Sequence, residues 1–157
     1  LPEPKPIFSE TPTLLGADGR KMSKSYNNAF HLTQEPDDVV KALRAMPTDP
    51  ARVRRTDPGE PTKCPVYSYH KLFSSRDDLA WVEPGCRTAG IGCGDCKMRL
   101  AANLNAKMAE PRERKKELLA NPDQLDAIIG DGCARARKAA GETLKSVREW
   151  TGFAGTW

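Results

Sequence analysis

Two groups of residues in this 157-residue chain have the types and spacing for chemistry. The first is Lys21-Met22-Ser23-Lys24-Ser25, preceded by Gly16-Ala17-Asp18-Gly19-Arg20, a glycine-punctuated stretch expected to bring Arg20, Lys21 and Lys24 together. A lysine ammonium is a compact charge on a flexible stem, serine hydroxyls can donate to the same oxygens, and glycine lets backbone N–H groups approach closely. That combination suits a polyphosphate, with a nucleoside triphosphate as the best-fitting ligand. The alternative is a basic, solvated surface loop, because short motifs recur by chance.

The second group is cysteine. Cys64, Cys86, Cys93 and Cys96 stand in the spacing C-x21-C-x6-C-x2-C, with Gly85, Gly92 and Gly94 nearby to let the backbone turn thiolates inward. Four thiolates converging on one site imply a metal. Structural zinc usually takes its cysteines as two short knuckles, whereas only Cys93 and Cys96 form one here, and an iron–sulfur cluster suits the set at least as well. Unliganded thiols and disulfides are the remaining alternatives. Cys133 lies beside an apolar helix stripe and reads as a core residue. His31 and His70 have no cysteine or second histidine at ligand spacing and read as packing or surface residues.

These groups need elements to hold them. Residues 1–33 contain Pro2, Pro4, Pro6 and Pro12 with little helical period, so the phosphate loop sits in irregular structure. Glu35-Pro36-Asp37-Asp38 opens a helix that ends near Met46, with Val39, Val40, Leu43 and Met46 as its apolar face. Pro47 to Pro65, with its five prolines, reads as an irregular connector carrying Arg52, Arg54 and Arg55. A second helix is predicted over Val66 to Phe73, and a third from Cys93 and Cys96 through Leu100, Leu104 and Met108. Pro111 interrupts that helix or begins another, to about Leu119. The last helix has Asn121 as its cap, Pro122 at its first position and a stripe of Leu125, Ile128, Gly132, Ala136, Ala140, Leu144 and Val147.

At Lys21 to Ser25 the chain resembles the class I aminoacyl-tRNA synthetases, whose second signature motif is matched at all five positions. Asp18-Gly19-Arg20 before it and Tyr26-Asn27 after it resemble the tryptophanyl-tRNA synthetase family, as do Pro47-Thr48-Asp49-Pro50 and Thr56-Asp57-Pro58-Gly59. Gly85-Cys86-Arg87, Ile91-Gly92-Cys93, Asp95-Cys96-Lys97 and the helix around Ala134 to Lys138 agree. The first class I signature, of the type His-Ile-Gly-His, occurs nowhere, so the resemblance is to the C-terminal portion of the family and the fragment alone is expected not to aminoacylate.

The resemblance implies a mainly α fold: a C-terminal helical domain of the anticodon-binding type on the edge of a Rossmann-like catalytic domain whose N-terminal part is absent. Residues 1–34 would end the catalytic domain, 35–62 would connect, and 63–157 would form the tRNA-binding domain. It implies a ligase that joins tryptophan to tRNA(Trp) using ATP with Mg2+. Lys21 and Lys24 would act on the departing pyrophosphate, Ser23 and Ser25 would add hydrogen bonds, and Met22 would pack near the adenine. Some bacterial members carry a 4Fe-4S cluster on four cysteines with the same final x6 and x2 intervals; the first interval here is one residue shorter. The resemblance therefore favours a 4Fe-4S cluster over Zn2+ on Cys64, Cys86, Cys93 and Cys96, with a structural role, and disfavours disulfides in a reducing cytoplasm. A homodimer is implied for the complete enzyme.

Composition fits. Residues 97–157 hold 12 Lys and Arg against 8 Asp and Glu, whereas residues 1–96 balance, so the net charge of +4 sits in the C-terminal helices. Basic helices suit a phosphate backbone, and Arg112, Arg114, Lys115, Lys116, Arg135, Arg137 and Lys138 are the candidate tRNA contacts, each with an equally good solvated reading. Lys97 and Arg99 follow the cysteines and could add charge to the same surface. No apolar run reaches the ~20 residues that cross a bilayer. The alternatives from other classes are a stand-alone metal-bearing nucleic-acid-binding module without ligase activity and a class I relative of altered specificity.

Overall fold

The first helix, α1 (Pro36–Ala45), begins where the sequence places it. Proline has no N–H to leave unsatisfied in a first turn, and Asp37 and Asp38 face the positive end of the helix dipole. Five more helices follow: α2 (Pro65–Phe73), α3 (Arg76–Arg87), α4 (Cys93–Lys107), α5 (Ala109–Ala120) and α6 (Pro122–Thr151), with short 3-10 turns at Lys24–Tyr26 and Pro61–Lys63. This computed structural model describes residues 2–8 and 13–153. Pro12 and residues 154–157, at the end of the expected tRNA-binding domain, lie outside them. The chain is mainly helical, as expected. Among the described residues the one isolated strand pairing is an antiparallel bridge between Leu15 and Lys21.

The chain divides into two units, residues 1–112 and 113–157. The core of the first is built by α1, α2 and α4. Val39 and Leu43 from α1, Val66 and Tyr69 from α2, and Leu100, Ala101 and Leu104 from α4 form one buried cluster with Met46 and Met108. Each fully buried leucine contributes roughly 1.5–3 kcal/mol by leaving water. Leu14, Met22 and Phe30 pack against this cluster, so the segment carrying the phosphate loop is anchored on the core. Lys97 closes the open end of α1 by donating from Nζ to the carbonyls of Arg44 at 2.9 Å and Met46 at 2.5 Å. Its charge is thereby used internally rather than left to the outer surface.

Helix α3 has no counterpart in the sequence reading. Pro84 and Gly85 argue against a helix there, yet Ser75 caps it by accepting from the Asp78 N–H at 3.1 Å, and Asp77 and Asp78 occupy the first turn. Proline costs a helix one backbone bond. Here that loss falls in the last turns, where the helix is ending. Pro111 works differently: its ring clashes with the carbonyl four residues back, Lys107, and α4 ends at that residue.

In the second unit, α6 runs for 30 residues, and none of its residues is buried. Ile128 and Leu144, expected on a covered stripe, are about half exposed, and Cys133, expected in a core, is exposed. Asn121 stands at the helix start but its side chain caps nothing there; Nδ2 donates back to the Glu117 carbonyl of α5 at 2.8 Å.

Candidate functional site

The phosphate loop is a small hairpin closed by its own backbone. The Gly16 N–H donates to the Arg20 carbonyl at 2.7 Å, and the Gly19 N–H donates to the Gly16 carbonyl at 2.9 Å. Gly19 has φ 78°, the left-handed region where a side chain would be strained. Ser23 then caps the turn Lys24–Tyr26 by accepting from the Ser25 N–H at 3.2 Å. Lys21 and Lys24 are both exposed, and neither forms an ion pair among the described residues. Arg20 differs, because its guanidinium pairs with Asp18 at 2.7 Å and lies 4.7 Å over the Tyr26 ring. Of the three cations expected to gather in this loop, Arg20 is thus tethered to Asp18 and Tyr26, while the two lysines form no ion pair among the described residues. Met22, expected near an adenine, is partly buried against the core cluster.

Asn28 holds this hairpin together, and the sequence reading did not single it out. It is buried, and its Oδ1 accepts from the Ser23 N–H at 2.8 Å. Its Nδ2 donates to Asp18 Oδ1 at 2.7 Å and to the Lys21 carbonyl at 3.2 Å. One amide side chain thus fixes three points of the loop. Asn28, followed by the Arg20 backbone N–H and side chain, holds the Asp18 carboxyl down at about 2. From α2, the Tyr69 hydroxyl donates to the Leu15 carbonyl, tying the first strand of the hairpin to the core.

The four cysteines come together although 32 residues separate the first from the last. Cys64 stands at the position just before α2, Cys86 lies in the last turn of α3, and Cys93 and Cys96 lie in the first turn of α4. All four are half-buried and line one cavity with Thr48, Arg52, Val66 and Ile91. Burial pushes the Cys86 thiol up, and it pushes the Cys96 thiol up to about 12 with help from the other three sulfurs. His70 is fully buried next to them, its Nε2 3.3 Å from Cys96 Sγ and its Nδ1 2.7 Å from Ser74 Oγ. Burial lowers the His70 pKa, which favours the neutral ring. No local spacing marks this contact, because 26 residues separate the partners.

Four sulfurs on one cavity have the donor chemistry of a thiolate-bound centre. A Cβ at Gly59 would sit 2.7 Å from Cys86 Sγ and 3.2 Å from Arg52 Cδ, so only glycine leaves this wall of the cavity clear. Arg52 is buried, and its Nε has no hydrogen-bond partner. Even so, no group of three or more His, Cys, Asp or Glu among the described residues is arranged to hold a metal ion.

The candidate RNA contacts separate into two kinds. Arg112, expected on a helix surface, is buried: it donates from Nε to the Gln34 carbonyl at 2.6 Å and from Nη2 to Asn105 Oδ1 at 2.6 Å. Arg114, Lys115, Lys116, Arg135, Arg137 and Lys138 are exposed. Three of them meet acids on their own helices, Arg114 with Glu117, Lys116 with Glu113 and Arg135 with Asp131. Arg99 pairs with Asp78 at 3.3 Å and lies over the Trp81 ring.

Residues 1–109 match the family described as tRNA synthetases class I (W and Y). The tryptophan–tRNA ligase of Ralstonia nicotianae is 46% identical over 153 residues, which cover 98% of this chain and 38% of that protein. The tryptophan–tRNA ligase of Thermotoga maritima is 45% identical, covering 94% of this chain and 45% of that protein. The chain spans less than half the length of these relatives. Among solved structures, tryptophanyl-tRNA synthetase from Campylobacter jejuni complexed with ADP and tryptophan superposes with a TM-score of 0.75 at 31% identity, covering 91% of this chain and 44% of that one.

Proposed function

This chain belongs to the class I tRNA synthetases of the tryptophan and tyrosine group, and we propose that it forms part of a tryptophan–tRNA ligase. The observation that carries the reading is the preorganised loop: Lys21 and Lys24 project from a hairpin that Asn28 fixes, in a chain similar to ligases for tryptophan over nearly its whole length. In the complete enzyme the tryptophan carboxylate attacks the α-phosphate of ATP, pyrophosphate leaves with its magnesium, and the adenylate passes its acyl group to the terminal ribose of tRNA(Trp). No protein nucleophile is needed. Catalysis is positioning and charge stabilisation. Lys24 and Lys21 hold the pyrophosphate oxygens as charge develops on them, while Ser23 and Ser25 keep the turn that aims them.

The proposal assigns residues 1–34 to the catalytic domain, 35–62 to a connector and 63–157 to the tRNA-binding domain, in a cytoplasmic homodimer. Exposed cations among Arg114, Lys115, Lys116, Arg135, Arg137 and Lys138 meet the RNA backbone; Arg112 is withdrawn from that set by its burial. Cys64, Cys86, Cys93 and Cys96 hold a 4Fe-4S cluster, with zinc as the second reading. The shared cavity, the opening left by Gly59 and the orphaned Arg52 Nε support an anionic centre there. When bound it ties the starts of α2 and α4 to the end of α3, and the free energy of binding becomes folding energy.

The test uses the complete protein encoded by the gene. It should catalyse tryptophan-dependent exchange of pyrophosphate into ATP and charge tRNA(Trp). Lys24→Ala should slow adenylate formation by about 100- to 1,000-fold, the usual loss when one preorganised charge-stabilising group is removed. Its tRNA affinity should stay within about twofold, as expected for a residue that acts only on the departing pyrophosphate. Exchange driven by tyrosine instead would refute the specificity, and no exchange with any amino acid would refute the ligase reading.

A further inference from the structure

Arg52 is a buried cation with no carboxylate to answer it. It is 8% exposed and lines the cysteine cavity. Its Nη2 donates to the Ile91 carbonyl and, at 3.1 Å, to the Arg55 carbonyl. Its Nη1 points to Cys86 Sγ at 3.9 Å. Its Nε has no partner, and no ion pair among the described residues includes it. Arg54 and Arg55 share its sign, and Arg55 is paired with Asp95; the buried carboxylate of Asp49, three residues before it, accepts from the Ala51 and Glu60 N–H groups and forms no ion pair with it among the described residues. A guanidinium can be buried when neutral oxygens meet its donors, as Gln34 and Asn105 do for Arg112, but the Arg52 Nε stays unmet and its lost hydration is not replaced. Neutral thiols would not replace it either.

An anionic metal centre would. Four thiolates outweigh the positive charge of one zinc ion or of an iron–sulfur core, so either centre is negative overall. We propose that Arg52 is the counter-cation of the four-cysteine centre, a positioning residue that pairs with the metal-bound thiolates and stabilises the centre's more negative states. Resting as it does on the metal reading above, the inference adds a residue that the cysteine pattern does not contain. Arg52 reaches the cavity from the connector between α1 and α2, where the chain turns back through Gly59 onto Cys86. The Gly59 N–H donates to the Cys86 carbonyl at 2.9 Å, which keeps the two segments in register.

The experiment compares the complete protein, purified anaerobically, with Arg52→Met and Arg52→Lys. Methionine keeps much of the apolar stem and removes the charge, while lysine restores the charge without the planar fork. Iron, acid-labile sulfide and zinc are counted per chain, metal release to a chelator is timed, and the midpoint potential is followed by EPR where iron is present. Arg52→Met should release metal about 10- to 100-fold faster, the usual scale for residues that support metal ligands. It should also shift an iron–sulfur potential to more negative values, since removing a nearby positive charge disfavours the added electron. Arg52→Lys should recover most of both.

Unchanged release and potential in Arg52→Met would overturn the proposal. So would equal losses in both variants with an unshifted potential in the centres that remain, because that pattern marks a peg acting only through the Ile91 and Arg55 carbonyls. If zinc alone is found, the iron–sulfur reading fails, and charge-dependent zinc release sustains the role of Arg52. Neither metal in the parent protein would overturn both.

Discussion

Replacing Asn28 with alanine should open the phosphate loop without unfolding the core. The side chain makes three hydrogen bonds, to the Ser23 N–H, the Lys21 carbonyl and the Asp18 carboxylate. A neutral bond contributes about 1 kcal/mol net and one to a charged group about 1.5–3 kcal/mol. Water can reach the loop once it opens, which offsets part of that sum. A local loss of about 2–4 kcal/mol follows, and at roughly 1.4 kcal/mol per factor of ten it raises the open population about 30- to 1,000-fold. Amide hydrogen exchange reads this directly. The Ser23 N–H should exchange faster by that factor in Asn28→Ala, and the Met22 N–H, bonded to the Leu14 carbonyl at 3.3 Å, should follow it. Leu104 in α4 is buried in the core and should keep its protection.

Asn28→Asp sharpens the test, because it keeps an acceptor for Ser23 but removes both donors and sets a carboxylate against Asp18. The Asp18 carboxyl, held at about 2, should then titrate at or above its ordinary 3.8. Unchanged exchange at Ser23, or equal acceleration at Leu104, would refute the reasoning. The first result would mean that the backbone bonds alone hold the hairpin; the second, that the loop and the core open together.

Further outcomes follow from the same geometry. Asp18 has a folded pKa of about 2 against an ordinary 3.8, so its contribution to stability is present above pH 3.8 and is lost as pH falls toward 2. Urea unfolding of Asp18→Asn across that window should show a shallower acid loss than the parent. Leu100→Ala empties a fully buried position between α1 and α4 and should cost about 2–5 kcal/mol in denaturant unfolding. Gly59→Ala places a methyl group 2.7 Å from Cys86 Sγ, so metal content per chain should fall sharply, while overpacking costs the metal-free protein about 1–3 kcal/mol.

Much of the first unit was legible because local signals and tertiary packing agree there. Pro36 with two acids after it starts α1, Val39 and Leu43 recur on one face, and that face is the one buried. The cysteines were legible as a set because their chemistry is rare and their late spacings are short. Helix α3 was hidden by Pro84 and Gly85, whose cost is small near a helix end, and the Ser75–Asp78 cap was the signal available. Arg112 reads as one more cation in a basic run, and only the fold shows that Gln34 and Asn105 consume its donors. The stripe on α6 predicted burial from periodicity, which reports that a face is apolar and not what covers it.

Asn28, Arg52 and His70 were illegible for a shared reason. Each works through a partner that the chain brings near only by folding, and neither an asparagine nor a lone histidine has a spacing to notice. Two neighbouring residues on α2 show how such contacts join the two chemical groups. Tyr69 holds the Leu15 carbonyl at the base of the phosphate loop, and His70 sits against Cys96. The same helix starts at Cys64. Successive helical residues point about 100° apart, so a helix two and a half turns long can present adjacent side chains to two different sites. The position of α2 is therefore fixed from both sides. A centre that orders Cys64 and Cys96 also orders the helix on which the loop is tied, and stripping metal from the complete protein should speed amide exchange in α2 before it does so in α1.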